Sequence, residues 1–157
     1  MKNKFEVLRK IAKELNKQNV TWAIGASVLL YFKGIVNEFH DIDIMFDEKD
    51  AEKIKHIFDQ FGNHIVSPPN EMFKTKYFYE YIVDDVEIDC IGGFIVVKDS
   101  IDYDCSLKVE EITDHILLDD VDIPLYSLDK WKYFYFLINR TSKVKMIEDY
   151  YKNKNNV

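Results

Sequence analysis

Two short stretches place acidic residues where apolar neighbours ask for a buried strand. In His40-Asp41-Ile42-Asp43-Ile44-Met45-Phe46-Asp47, Asp41 and Asp43 stand two apart and so project from one strand face. In Val86-Glu87-Ile88-Asp89-Cys90-Ile91, Asp89 falls in the polar register, and Glu87 shares its face as a rival for the same role. Two like charges about 4 Å apart repel by about 4 kcal/mol at an effective dielectric of 20. That is a large share of the roughly 5–15 kcal/mol that keeps a small domain folded. A hard divalent cation answers the repulsion. Carboxylate oxygens are ligands that Mg²⁺ prefers, and the ion keeps further positions for water and phosphate. Two such ions about 4 Å apart can activate an attacking oxygen and stabilise a leaving one. Upstream, Gly25-Ala26-Ser27 stands where a strand gives way to a helix. A glycine there lets a ligand approach the backbone, and the free N–H groups of a helix start favour phosphate. Ser27 adds a hydroxyl. These residue types suit metal-assisted handling of a triphosphate.

The elements that must position them can be read from periodicity. Residues 4–18 put Phe5, Leu8, Ile11, Ala12 and Leu15 on one helical face. Val20–Ile24 is predicted as a short strand, Val28–Phe32 as a helix ending near Gly34, and Asp41–Phe46 as the acidic strand. Asp47 suits the N-cap of a helix from about Lys49 to Phe61, stopped by Gly62. Pro68 and Pro69 break the chain into a loop. Lys76–Val83 and Val86–Ile91 form a predicted hairpin around Asp84-Asp85, followed by Gly92-Gly93 and the run Phe94–Val97. Ile116–Leu118 and Val121–Ile123 suggest a weaker hairpin around Asp119-Asp120. Ser127 caps a helix through Ile138, and Thr141 or Ser142 caps a last one to about Lys152. With no repeat, linker or low-complexity tract, this order predicts one α+β domain over residues 1–157, a mixed sheet flanked by helices with a helical C-terminus.

Composition narrows the class. An apolar fraction of 47% with 15% aromatics is that of a globular chain. No apolar run approaches the roughly 18 residues of a membrane span. The N-terminus leads into an amphipathic helix rather than a signal-peptide core. Cys90 and Cys105 are too few for a disulfide framework and fit a reducing cytoplasm. With 21 basic against 28 acidic residues, the net charge of −7 argues against a large nucleic-acid partner, whose phosphates call for a basic face.

Gly25-x-Ser27, thirteen residues, Asp41-x-Asp43 and a later strand bearing Asp89 together resemble the nucleotidyltransferase superfamily. The likeness is greatest to its small bacterial members, the antibiotic nucleotidyltransferases and toxin-like single-domain proteins. The segment Leu137-Ile138-Asn139-Arg140-Thr141-Ser142-Lys143, with Asp149 beyond it, is similar to a helical stretch common in that group. The sequence departs from the family pattern in having Gly-Ala-Ser where many members have two glycines. It also has Asn37-Glu38-Phe39-His40 where many carry Arg or Thr.

The resemblance implies transfer of a nucleoside monophosphate from an NTP to a hydroxyl acceptor, with release of pyrophosphate. It implies that Gly25 and Ser27 hold the phosphates and that Arg140 and Lys143 assist. It further implies that Asp41, Asp43 and Asp89 hold two Mg²⁺, with Asp89 also the general base. The acceptor could be a drug-like alcohol, a protein hydroxyl or a tRNA end, and the acidic charge favours the first two. The alternative is a catalytically idle fold-mate that binds nucleotide or a partner, for example in a toxin–antitoxin pair. Asp-x-Asp also opens the haloacid-dehalogenase phosphatase site, but the residues around it here do not follow that pattern. No P-loop sequence occurs. Other residues have simpler readings. Tyr77, Tyr79 and Tyr81 alternate on one face and suit packing better than base stacking. Trp131, Phe134, Tyr135 and Ile138 have core spacing, Lys143 and Lys145 suit a solvated face, and the four histidines lack metal-ligand spacing.

Overall fold

A computed structural model describes residues 1–68 and 70–155. Pro69, half of the expected Pro68-Pro69 break, lies outside the described residues.

The chain folds as α1 (Lys2–Lys17), β1 (Trp22–Gly25), α2 (Ala26–Phe32), β2 (Ile42–Phe46), α3 (Ala51–Phe61), β3 (Asn63–Ile65) and β4 (Tyr77–Val83). It continues through β5 (Val86–Gly92), β6 (Ile95–Lys98), β7 (Ile101–Asp104), β8 (Ile112–Leu118), β9 (Val121–Tyr126), α4 (Leu128–Leu137) and α5 (Thr141–Asn155). Seven strands form one sheet in the order β3-β4-β5-β2-β1-β9-β8, and β6 with β7 forms a separate hairpin. The sheet is mixed. β2 runs parallel to β5 and β1 parallel to β9, while the remaining neighbours are antiparallel. This is the α+β architecture expected from the sequence, helical at its C-terminal end.

The strand period of two sorts side chains cleanly between the faces. On one face Ile24, Ile42, Ile44, Phe46, Ile88 and Tyr81 are buried. Helix α3 covers part of this side: Phe58 packs on Tyr81, whose hydroxyl donates to Asp59 at 2.7 Å. Helix α1 packs beside α3 and buries Leu8, Ile11 and Leu15, the stripe its spacing predicts. The opposite face carries Asp43, Asp89 and Gly25, and α4 lies over it.

Three tight hairpin turns explain strands that end sharply. Asp84-Asp85, Asp99-Ser100 and Asp119-Asp120 each hold both central residues at positive φ, as type I′ turns demand. The middle pair joins β6 to β7, of which only the first run was expected. Strand β3, exposed throughout and three residues long, carries no alternation and was also not expected. Strand β1 begins at Trp22 rather than Val20, because Val20 closes the end of α1 through its N–H to the Leu15 carbonyl. β9 runs on to Tyr126 through Pro124. The last helix takes in Thr141 instead of being capped by it, after Asn139 turns the chain at φ 61.

Candidate active site

The register brings the acidic residues together. Across the parallel β2–β5 pair, Asp43 stands directly opposite Asp89. Across the antiparallel β1–β2 pair, Gly25 stands opposite Asp43. Asp89 in turn faces Glu80 of β4. Directly paired residues point to one side of a sheet, so Gly25, Asp43, Asp89 and Glu80 form a row across four strands. The acidic strand starts at Ile42 rather than at the expected Asp41, which lies in the bend just before it, half-buried and close enough for its charge to act on both carboxyls. Asp89, rather than its rival Glu87, meets Asp43; Glu87 is exposed.

Proximity shows in the proton affinities. Burial, then the charges of Asp89 and Asp41, push the Asp43 carboxyl well above the usual carboxylate range. Burial, then the charges of Glu80, Asp41 and Glu87, push Asp89 up to about 7. The two carboxyls act on each other at close range, and burial with like charge raises both.

The donor set is oxygen-only, like-charged and desolvated, which is the chemistry a hard divalent cation matches. Among the described residues no three His, Cys, Asp or Glu side chains are gathered closely enough to cage an ion. Asp43 and Asp89 face one another, and Asp41 acts on both through its charge. A pair of this kind fits an ion that takes its remaining ligands from water and phosphate.

Beside the pair, the turn at Gly25 differs from its expected role. Gly25 is extended, with φ −121. A Cβ there would meet the Trp131 ring of α4 at 2.5 Å, so this glycine makes room for an indole. The left-handed residue is Ala26, at φ 50. Ser27 follows, half-buried in the first turn of α2. One turn of α4 beyond Trp131, the Tyr135 hydroxyl is raised by burial and by the charge of Asp43, while the Arg140 charge opposes this. Arg140 is exposed, its backbone N–H donates to the Tyr135 carbonyl at 2.8 Å, and its charge acts on the Tyr135 hydroxyl. Lys143 is half-buried on α5, and Lys145 pairs with Asp149 at 2.9 Å. Tyr81 and Tyr79 lie on the opposite sheet face, packed on Phe58 and Phe46, which settles their role as packing.

Sequence reasoning missed Glu80, Trp131 and Tyr135 as neighbours of the pair. Glu80 carried a signal in the alternation Phe78-Glu80-Ile82, overlooked beside the tyrosines. A cleft of about 100 Å³ opens along this edge, lined by Ile65, Glu80, Tyr81, Glu87 and Asp89.

Solved structures of the same fold identify its class as nucleotidyltransferase. A Thermotoga maritima protein, TM1012, put forward as a nucleotidyltransferase, superposes with a TM-score of 0.76 at 25% identity, covering 98% of this chain and 95% of that one. The fold is also that of ANT(2'')-Ia, solved in complex with adenylyl-2''-tobramycin (TM-score 0.64, 13% identity, 92% and 87% covered). It is shared too by the lincosamide antibiotic adenylyltransferase LnuA, solved with lincomycin bound (TM-score 0.59, 15% identity, 90% and 94% covered). No curated protein sequence matches the chain. Residues 7–145 match the aminoglycoside-2''-adenylyltransferase family, and the chain belongs to that family.

Proposed function

We propose that the whole chain acts as one catalytic domain that transfers a nucleoside monophosphate from an NTP to a hydroxyl of a small molecule. The facing Asp43–Asp89 pair beside the Gly25–Ser27 turn carries this reading. The acceptor oxygen attacks the α-phosphorus, the bond to the β-phosphate oxygen breaks, and pyrophosphate leaves. Asp89 takes the acceptor proton as general base, its carboxylate being the form that a bound cation favours. Asp43 and Asp89, with Asp41 adding its charge beside them, would hold Mg²⁺ together with the phosphates, and bound Mg²⁺ supplies charge neutralisation for the triphosphate and the leaving pyrophosphate. Ser27 and the amides after Gly25 orient the phosphates. Arg140 and Lys143 add positive charge at the margin.

The cleft beside Asp89 suggests the acceptor. Glu80, Glu87 and Asp89 make its wall acidic, which suits a hydroxyl compound that also carries amines. Tobramycin in the ANT(2'')-Ia complex and lincomycin bound to LnuA are small-molecule precedents from the same fold.

Thermal unfolding with each NTP, with and without Mg²⁺, tests the site. A nucleotide at a hundred times its Kd adds about 2.7 kcal/mol, which at this length raises Tm by roughly 5–10 °C. The shift should require both Mg²⁺ and NTP and vanish in Asp41→Asn. No shift with any NTP would favour an idle, partner-binding member of the fold.

A further inference from the structure

Trp131 holds a polar atom that the packing leaves unanswered. The residue is 4% exposed, and its Nε1–H is the buried side-chain donor without a hydrogen-bond partner among the described residues. Unpaired buried donors are costly, and each asks for an explanation. The second tryptophan shows the ordinary solution, since Trp22 Nε1–H donates to Asn16 Oδ1 at 3.0 Å.

The position of the orphan is informative. Its ring edge, Nε1 included, lies 2.5–2.7 Å from where a Gly25 Cβ would stand. Gly25 opens the turn into α2 and has Asp43 as its cross-strand partner. Asp43 nevertheless accepts nothing from the indole. Phe94 stacks on the ring, and Tyr126, Phe134 and Tyr135 pack around it, so the indole is held firmly. The turn beside it carries the local backbone irregularity. Ala26 sits there at φ 50, a left-handed state that an alanine holds only under constraint. Strain of this kind collects at ligand clamps.

We propose that Trp131 is a nucleotide-contacting residue: on binding, the Gly25–Ser27 turn shifts and Nε1–H donates a hydrogen bond to a phosphate oxygen. The proposal rests on the nucleotide-binding reading of this site. A phosphate oxygen is a charged acceptor, and a hydrogen bond to it is roughly twice as strong as a neutral one. A phosphate lying on the turn brings such an oxygen to the side of Gly25 that faces Asp43.

Protein labelled with ¹⁵N gives one indole N–H resonance for each tryptophan, assigned with Trp22→Phe alone. Mg²⁺–pyrophosphate and Mg²⁺–ATP are titrated in, with adenosine as the phosphate-free arm. The two phosphate ligands should move the Trp131 resonance downfield and slow its hydrogen exchange, while the Trp22 resonance stays in place and adenosine moves neither. Trp131→Phe should weaken ATP binding roughly tenfold to a hundredfold. A purely structural role would lower Tm and leave the Kd of the folded protein unchanged. Binding seen at the amides of residues 25–27 with a motionless Trp131 resonance overturns this inference and leaves the proposed function standing. A Trp131 response to adenosine alone overturns the phosphate assignment. No response to any ligand overturns both.

Discussion

At the scale of single residues, the proposed function rests on the Asp43–Asp89 pair. Asp89→Asn removes the proposed proton acceptor but keeps size and a polar edge. Steady-state assays should show kcat down by about 10²–10⁴, the range general-base catalysis supplies. Nucleotide binding should persist, as a thermal shift with Mg²⁺–NTP would report. The same pair makes stability depend on pH. Asp89 titrates near 3.8 when unfolded and at about 7 when folded, so between those values the folded state holds the extra proton. Stability from this group is present below the lower value and is lost as pH rises through the upper one. In EDTA, the Tm of Asp89→Asn should approach wild type at about pH 3.5, and its excess over wild type should grow from there to about pH 8. An unchanged difference across that range would disconnect Asp89 from the pair. Asp41, Asp43 and Asp89 were legible in the sequence because strand alternation fixes which residues share a face. Glu87 remained a rival there, since only register distinguishes positions two apart on one face.

At the scale of elements, the strand-to-helix turn carries two opposed substitutions. A methyl at Gly25 would stand 2.5 Å from a buried indole. Gly25→Ala should cost about 1–3 kcal/mol by overpacking and lower Tm by several degrees in calorimetry. Ala26→Gly should act the other way. A left-handed conformation costs a non-glycine residue about 1–2 kcal/mol, partly offset by the extra freedom glycine brings to the unfolded chain. A net gain of about 0.5–1 kcal/mol follows, visible as a small rise in Tm. The two results would separate a glycine needed for space from one wanted for backbone geometry. The dipeptide alone could not, because the demand on Gly25 comes from α4, more than a hundred residues later. Hairpins closed by Asp84-Asp85 and Asp119-Asp120 were foreseeable because their turn residues are local. The strands β3 and β7 were not, because each is short and almost wholly exposed, so neither carries a clear buried-face alternation.

At the scale of the whole molecule, the proposed acceptor choice depends on charge more than folding does. Ion pairs such as Lys10–Asp84 and Lys74–Asp102 are exposed, so salt should change Tm little. The net charge of −7 and the acidic cleft act at longer range. The KM of an amine-bearing acceptor should rise severalfold between low and high salt, while that of an uncharged acceptor stays level. Equal salt responses for the two acceptors would remove electrostatics from acceptor choice. No helix among the described residues is long and apolar enough to cross a membrane.

Residue type and short-range period by themselves determined the order of most elements, the acidic strand and its face, and the superfamily motif. Each of these is a local property, carried by neighbours two to four residues apart. Tertiary structure alone decided that Asp89 meets Asp43, that Glu80 extends the acidic row, and that Trp131 occupies the place of a Gly25 side chain. Those relations join strands and helices remote in sequence. They arise from parallel register and helix packing, for which a linear pattern carries no signal.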